Sequence, residues 1–290
     1  MNALAVADSG RALARRKARR RLTARPLSVI GLVGVVVVVL VALLANWISP
    51  HDPTLPNFGQ VLAPPGAGGH LLGTDQLGRD VLSRLFYGSR TTLVAGVLAT
   101  VLGTLVAVPI GLVAGYFRGW TDVVISRLVD VVLAFPFLIF AVGLAAILGP
   151  SLRNVVLALG VAQIPGVIRV VRGEVFAQRE LEYVQAEVVN GTPTRTIMFR
   201  HILPNVLNPV VVQTSLAVPA TIVGAAILSF LGLGVQPPTA DWGTMLSDAE
   251  NYLGQAPWLG VFPGVAIFLT TLCFNLFGDG LRDALDPTAR

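Results

Sequence analysis

The chain has 290 residues, of which 54% are hydrophobic and only 13% are charged, and its mean hydropathy is +0.73. A soluble protein carries about twice that share of charged residues, so the composition excludes a large soluble domain and indicates an integral membrane protein. Six stretches with little or no charge have about the length that a membrane-spanning helix needs. They are continuously apolar and do not alternate, which favours helices over a β-barrel.

The basic residues are concentrated at the start of the chain. The net charge is +5 and the isoelectric point is near 10.1, and eight of the 21 Lys and Arg residues lie in residues 11–25, just before the first apolar stretch. That position indicates membrane topology and contact with anionic lipid headgroups rather than nucleic acid. We therefore expect a basic cytoplasmic segment at residues 1–26. The apolar stretch at 27–48 is longer than the roughly 7–15 residues of a signal-peptide core, so it predicts an uncleaved anchor.

A hydrophilic segment follows at residues 49–90. Its first part is rich in Pro and Gly and predicts an irregular loop. Its second part reads HLLGTDQLGRDVLSRLFYGSR, in which Thr74 or Asp75 is placed to cap a helix over residues 80–87. Asp75, Arg79 and Asp80 also form a possible metal or catalytic cluster. Two carboxylates without a suitably spaced His make a poor metal site, so capping and ion pairing are favoured and no metal is expected.

Five further spans are predicted, at residues 91–117, 131–148, 152–168, 205–231 and 259–277. Gly96, Gly103, Gly111 and Gly115 allow close helix approach in the second span. A polar turn is expected at 118–127, and Pro136 kinks or widens the third span. With the N-terminus in the cytoplasm, 17 of the 21 Lys and Arg residues lie in inside segments and four lie outside. This asymmetry predicts that both termini are cytoplasmic.

Several kinds of chemistry are missing from the sequence. No Asp, Glu, Lys or Arg lies in the middle of a predicted span, which weighs against a proton-coupled secondary transporter. Three polar residues in the predicted spans either line a path through the membrane or form hydrogen bonds between helices: Gln163, Gln213 and Asn275. The one lysine, Lys17, is not part of a phosphate-binding loop, and the hydrolase and zinc-protease motifs are absent. We expect no catalytic residues and no bound cofactor, and a packing role for the single cysteine, Cys273.

The polar loop at residues 172–204 interrupts this apolar chain. Five arginines and four glutamates lie between Arg169 and Arg200. The pattern predicts a helix over 173–190 with Gly191 as its C-terminal cap, and an apolar face made of Val175, Phe176, Leu181, Val184, Val188 and Val189. Thr192 and Pro193 then predict a second short helix that stops before Pro204. Two short helices joined at a glycine suit a groove on a partner; an ordinary surface hairpin fits the pattern equally well.

Three stretches resemble a known family. Ala186, Gly191 and the pair Leu203-Pro204 are spaced like the EAA loop of binding-protein-dependent ABC importer permeases, although Gln185, Glu187 and His201 depart from its consensus. LLGTDQLGRDVLSRLFYGSR resembles the outside segment of the second permease in dipeptide, oligopeptide and nickel importers. SFLGLGVQPPTADWGTMLSDAENYL and FNLFGDGLRDALDP resemble the last third of that subunit. The resemblance extends over about residues 27–287.

The resemblance implies an all-α integral membrane protein with six transmembrane helices and a type I ABC importer (MetI-like) permease fold. It implies an anchor at 27–48, an extracytoplasmic loop at 49–90, a transmembrane domain at 91–278 and a cytoplasmic tail at 279–290, in a bacterial cytoplasmic (inner) membrane. The implied partners are a second homologous permease, two ABC ATPase subunits that hold ATP and magnesium, and an extracytoplasmic solute-binding protein. The outside loops, especially residues 241–250, are the expected contacts for that binding protein.

Two sets of site residues follow from the resemblance. The ATPase-coupling loop is carried to Glu182, Tyr183, Ala186, Glu187, Gly191, Arg200, Leu203 and Pro204. The extracytoplasmic family motif is carried to Gly73, Thr74, Asp75, Gly78, Arg79 and Asp80. The implied substrates are dipeptides or oligopeptides. Nickel, glutathione or another small solute remain open, and a self-sufficient secondary transporter is the alternative from another class.

Overall fold

The structure, a computed structural model, describes residues 25–285, and its regular elements are all helices. Residues 1–24 and 286–290, which hold most of the predicted basic segment and the end of the predicted tail, lie outside the described residues. In chain order the main helices are α1 (Pro26–Ile48), α2 (Val81–Phe117), α3 (Gly119–Leu133), α4 (Phe137–Leu148), α5 (Leu152–Arg179), α6 (Glu182–Val189), α7 (Thr194–Phe230), α8 (Trp242–Ala249) and α9 (Trp258–Leu285).

Helices α1, α2, α5, α7 and α9 are each long and apolar enough to cross a membrane, and the bent pair of α3 and α4 provides a sixth candidate. The predicted all-α, multi-pass architecture is therefore confirmed. The third span differs from its prediction, because α3 and α4 meet at 87°. Pro136, at the break, lacks an N–H and restricts the residue before it. The 12 residues of α4 rise only about 18 Å, which is less than the roughly 30 Å of a bilayer core.

The predicted helix over 80–87 and the predicted span over 91–117 form one helix, α2, of 37 residues. Arg90, the charge that separated them in the sequence, does not break the helix, because its Nε donates to the carbonyl of Ala42 at 3.1 Å near the end of α1. The cap of α2 is Asp80, whose carboxylate accepts from the Ser83 N–H at 2.7 Å. The prediction of Thr74 or Asp75 as the cap was therefore wrong, since the helix begins later. The predicted polar turn at 118–127 is likewise helical from residue 119 onward, within α3, and only Arg118 is non-helical.

The central packing is between α2 and α5, and glycines allow it. A Cβ placed on Gly103 would lie 2.6 Å from the carbonyl oxygen of Gly160, and one on Gly111 would lie 2.7 Å from Cβ of Val171. The predicted close approach at the glycines of α2 is thus confirmed. Helix α1 packs against α9, where the sulfur of Cys273 lies against Gly34.

The bundle has two ends, the loop end and the motif end. The loop end carries α6, the end of α2 and the start of α7. The motif end carries residues 49–80, the start of α2, α8 and the start of α9. One apolar core cluster, which includes Val171, Val175 and Val184, lies toward the loop end, and another, which includes Val81, Trp242 and Leu259, lies at the motif end.

Candidate functional site

At the motif end, Asp75 is the centre of a buried ionic network. Its carboxylate accepts from the backbone N–H groups of Leu77 and Arg79, each at 2.9 Å, and from Nε of Arg79 at 2.7 Å. Nε of Arg84 is 3.4 Å away, and Arg79 also reaches Asp248 of α8 at 3.7 Å. Asp75, Arg79 and Arg84 are all buried. The network therefore compensates charges that would otherwise be costly to bury, and it connects the motif to α2 and α8.

The remaining motif residues fix the backbone. Gly78 has a φ of +74°, and a Cβ on it would lie 1.8 Å from the carbonyl oxygen of Asn57. Only glycine meets both conditions. The Thr74 N–H donates to the Ala63 carbonyl at 3.0 Å, and the indole N–H of Trp258 donates to the Thr74 carbonyl at 3.3 Å. All six motif residues, Gly73, Thr74, Asp75, Gly78, Arg79 and Asp80, are buried, so within the chain they join the preceding loop to α2 and α9.

The segment at residues 241–250 is less accessible than the sequence suggested. Asp241 is 3% exposed, and its carboxylate caps α8 by accepting from the Gly243 N–H at 3.0 Å. The same carboxylate accepts from the hydroxyl of Thr92 in α2 at 3.1 Å. Burial raises the pKa of Asp241 above its ordinary value. Trp242 is also buried, and its indole N–H donates to the Leu85 carbonyl at 3.0 Å. These two residues hold α8 against α2 and are not accessible to a binding protein, so the expected contact with residues 241–250 stays a prediction for the other positions of the segment.

At the loop end, the single helix predicted over 173–190 is two helices. Helix α5 ends at Arg179, Leu181 is extended, and α6 begins at Glu182. Because of the break, the side chains of residues 175–189 do not share one helix face, so the predicted continuous apolar face is wrong. Val184 is fully buried in the core cluster, whereas Val189 is 86% exposed.

Gly191 follows α6 in the left-handed conformation, with a φ of +74°, as its predicted capping role requires. Its N–H donates to the Val188 carbonyl at 3.0 Å, and nothing lies within 4 Å of the position of a Cβ. Thr192 does not cap the next helix; its N–H and hydroxyl donate back to the carbonyl and carboxylate of Glu187.

The second short helix does not stop before Pro204. It is the start of α7, which contains a π-helical turn at Ile197–Ile202 and runs on to Phe230. The wider turn accommodates Pro204, which lacks an N–H and whose ring would clash with a carbonyl in a regular α-helix. The loop is therefore continuous with a membrane-spanning helix.

The eight residues assigned to the coupling loop all lie at the loop end. Six are exposed, and Glu187 and Leu203 are half-buried; the exposed ones are Glu182, Tyr183, Ala186, Gly191, Arg200 and Pro204. The Tyr183 hydroxyl donates to Gln178 of α5 at 2.8 Å and accepts from Asn205 of α7 at 2.9 Å. Tyr183 thus connects α6 to both neighbouring helices.

Ion pairs that the sequence did not predict hold α3 to α5. Arg172 binds Asp122 through two nitrogens, one of them at 2.7 Å, and Arg169 binds Asp130 at 2.9 Å. Arg118 also pairs with Glu180. Part of the charge that marked the loop in the sequence therefore forms ion pairs within the chain.

Two clefts lie along α7. One, at the loop end between α5, α7 and α9, has a volume of about 640 Å³ and is lined by polar residues that include Glu174, Asn208, Gln213 and Arg282. The other, of about 470 Å³, is mostly apolar and includes Asn275; both include Leu216. Gln163 instead accepts from the Thr221 hydroxyl at 3.0 Å between α5 and α7. Of the three polar residues left open by the sequence, one bonds between helices and two line clefts.

The sequence also missed a histidine cluster. Nδ1 of His70 lies 2.9 Å from Oδ1 of Asp80, and Nδ1 of His51 lies 3.7 Å from the same oxygen. Their spacing along the chain gave no signal, because the irregular loop between them brings them together.

Comparison with known proteins agrees with these features. Residues 107–290 match the family described as binding-protein-dependent transport system inner membrane component, and residues 15–65 match the N-terminal transmembrane domain of oligopeptide transport permease C. The chain belongs to this family of permeases, and it is a multi-pass membrane subunit of a binding-protein-dependent transport system.

Individual relatives cover most of the chain. It is 49% identical over 265 residues to the dipeptide transport system permease protein DppC of Escherichia coli, which is 90% of this chain and 88% of the relative. It is 41% identical over 272 residues to DppC of Alkalihalophilus pseudofirmus, covering 94% and 89%. It is 46% identical over 218 residues to the glutathione transport system permease protein GsiD of Pectobacterium atrosepticum, covering 75% and 72%. These relatives are transport subunits, so the family indicates transport rather than catalysis.

Proposed function

We propose that this chain is the DppC-like and OppC-like permease of an ATP-driven importer of dipeptides or oligopeptides. In this proposal it encloses the path together with a second, homologous permease. The observation that carries the substrate class is the identity of 41–49% to two dipeptide permeases over about nine-tenths of the chain. The second candidate is glutathione, which is favoured by the 46% identity to a glutathione permease over a shorter region.

The proposed orientation places the loop end and both termini in the cytoplasm of a bacterium and the motif end outside the inner membrane. The distribution of the 21 Lys and Arg residues supports it, since 17 of them then lie on the cytoplasmic side. In this orientation the buried network of residues 73–80 stabilises the extracytoplasmic end. The solute-binding protein would dock there, and Glu250 is an exposed acidic residue that it could reach.

The proposed energy source is a pair of ABC ATPase subunits that bind α6. Leu181, Val188 and Val189 are exposed apolar side chains, and the charged residues Glu182 and Arg200 are exposed near them. An apolar helix face with a charged rim suits a groove on another protein. Burial of Val184 and the two hydrogen bonds of Tyr183 hold α6 rigidly to α5 and α7. A displacement of α6 by the ATPases is therefore transmitted to α7.

The two clefts along α7 are the proposed part of the path in this subunit. ATP binding favours the closed ATPase pair, and this preference shifts the permease between inward-facing and outward-facing states. Because α7 is continuous with the loop through the π-helical turn, its movement would change the width of both clefts. ATP and magnesium are held by the ATPases, and this chain contributes no cofactor site to hydrolysis.

The proposal is tested in proteoliposomes that contain the chain, its partner permease, its two ATPases and its binding protein. We expect ATP-dependent uptake of a labelled dipeptide, no uptake when any ATPase is omitted, and weak competition by glutathione. Uptake of labelled glutathione or of ⁶³Ni²⁺ without dipeptide uptake would overturn the substrate class. Gradient-driven uptake by the chain alone would overturn the proposal as a whole and support a secondary transporter.

A further inference from the structure

His51, His70 and Asp80 each present one possible metal ligand atom, and these three atoms lie within 4.8 Å of one another. The residues come from three places: the loop after α1, the segment before the family motif, and the N-terminal cap of α2. The side chains of His70 and Asp80 are buried, and that of His51 is 42% exposed. The cluster is therefore open to solvent on one side only.

The hydrogen bonds around His70 fix which of its nitrogens carries a proton. The Gly59 N–H donates to Oδ1 of Asn57 at 3.2 Å, so the other atom of that amide, Nδ2, is the one that donates to Oε1 of Gln60 at 3.2 Å. Oε1 of Gln60 is thereby identified as the carbonyl oxygen, and it lies 2.8 Å from Nε2 of His70. Because a carbonyl oxygen only accepts, the proton is on Nε2.

The neutral imidazole then has a lone pair on Nδ1, which faces Oδ1 of Asp80 at 2.9 Å. Two acceptor atoms that close need either a hydrogen or a metal cation between them. The ring of His51, whose centroid is 4.5 Å from that of His70, brings a third donor atom to the same place. A proton would explain the His70–Asp80 contact, but it gives no role to His51.

The two separations that involve Asp80 suit a small transition-metal ion. Bonds of about 2.0–2.1 Å in a tetrahedral zinc site place ligand atoms roughly 3.3 Å apart. The two nitrogen distances to Oδ1 of Asp80, 2.9 and 3.7 Å, lie on either side of that value. Two imidazoles and one carboxylate favour zinc-like ions over magnesium or calcium.

The groups behind the ligand atoms are also arranged as a metal site requires. Gln60 accepts from the outer nitrogen of His70, which fixes the tautomer of a ligating histidine. Oδ2 of Asp80 accepts from the N–H and hydroxyl of Ser83, each at 2.7 Å, and Oδ1 is left for a ligand. The backbone N–H of His51 donates to the Ser83 hydroxyl at 3.1 Å, so its position does not depend on its side chain.

We propose that His51, His70 and Asp80 form a binding site for one Zn²⁺ ion, with solvent at the remaining position beside His51. The ion would connect the loop after α1 to the first turn of α2 and so stabilise the motif end. It would be a structural ion, separate from the clefts along α7.

The test uses the full-length chain, purified in detergent without a histidine tag and stripped of metal with a chelator. Zn²⁺ is titrated in competition with a chromophoric chelator. We expect one equivalent to bind, and His51→Ala and His51→Asn each to weaken the apparent affinity by at least about tenfold. The third histidine of the chain, His201, lies at the loop end, so His201→Ala is the matched control and should bind as the unmodified chain does. The X-ray absorption of bound zinc should show nitrogen and oxygen ligands that include two imidazoles.

Both His51 variants should fold, because the position of that residue is held through its backbone, and size-exclusion chromatography checks this. Absence of stoichiometric binding to the unmodified chain would overturn the proposal, as would equal affinities in the unmodified chain and both His51 variants. A zinc absorption spectrum with one imidazole would also contradict it. Each of these results would leave His70 and Asp80 as a hydrogen-bonded pair without a metal ion.

Discussion

Gly78 and Gly191 have the same backbone conformation, with a φ of +74°, but very different surroundings. A Cβ on Gly78 would lie 1.8 Å from a backbone oxygen, whereas one on Gly191 meets nothing within 4 Å. The two positions therefore separate backbone strain from steric clash. We predict that Asn, which tolerates the left-handed conformation better than other side chains, is accepted at 191 and rejected at 78.

The expected magnitudes follow from these environments. A side chain such as Ala in the left-handed region costs about 1–2 kcal/mol, and a β-branched Val costs more because φ > 0 is a genuine outlier for it. A cost of 1–2 kcal/mol changes a conformational equilibrium roughly 5- to 30-fold, which is enough to displace α6 while the spans stay folded. Gly78→Asn forces the backbone of residues 57 and 78 apart, and we expect a loss above about 4 kcal/mol, in the range reserved for severe core lesions.

The assay compares Gly191→Asn, Gly191→Val and Gly78→Asn for membrane insertion, ATPase co-purification and uptake. We expect Gly191→Asn to stay close to the unmodified chain. Gly191→Val should insert normally, with ATPase association and uptake reduced by about tenfold, and Gly78→Asn should yield little detergent-stable protein. Equal losses for Asn and Val at 191 would refute the strain argument and show that a partner contacts this position. Normal ATPase association in Gly191→Val would refute the coupling role.

Two further predictions concern the motif end. Asp75→Ala should destabilise the protein by about 3–5 kcal/mol, because it leaves buried arginines without their carboxylate. The control Asp130→Ala removes an exposed ion pair and should cost less than about 1 kcal/mol. Denaturation in detergent measures both losses of stability, and similar losses would contradict the buried network. Burial raises the pKa of Asp241 in the folded state above its ordinary value of 3.8. The contribution of Asp241 to stability is therefore fully present below pH 3.8 and is lost as the pH rises through the raised pKa. The melting temperature of the unmodified chain minus that of Asp241→Asn should therefore increase as the pH falls from 7 to 4, and a constant or decreasing difference would be inconsistent with the buried carboxyl.

The sequence was sufficient for the spans whose signal is local. Continuous apolar length predicted α1, α2, α5, α7 and α9, and glycine spacing predicted the α2–α5 contact. The capping role of Gly191 was also predictable, because a glycine after a helical pattern has a specific backbone meaning.

Features that depend on contacts between segments far apart in the sequence were not predictable in the same way. The charge of Arg90 suggested a helix boundary, but tertiary contact with the end of α1 allows α2 to pass through it. The acidic appearance of Asp241 suggested a surface loop, although its carboxylate is enclosed by caps and hydroxyls. The approach of His51 and His70 to Asp80 depends on a proline-rich loop whose path no periodicity describes.

The proposal that α6 receives the ATPase is tested most directly by cross-linking. In a Cys273→Ser background the chain has no cysteine, so Val189→Cys, at the most exposed apolar position of α6, introduces a unique thiol. Leu71→Cys, also well exposed but at the motif end, is the matched control. In membranes that contain the assembled transporter with single-cysteine ATPases, a short bifunctional thiol reagent should join Val189→Cys to an ATPase subunit and leave Leu71→Cys unlinked to it. An ATPase adduct at Leu71→Cys, or none at Val189→Cys, would contradict the assignment of α6 and the orientation of the chain.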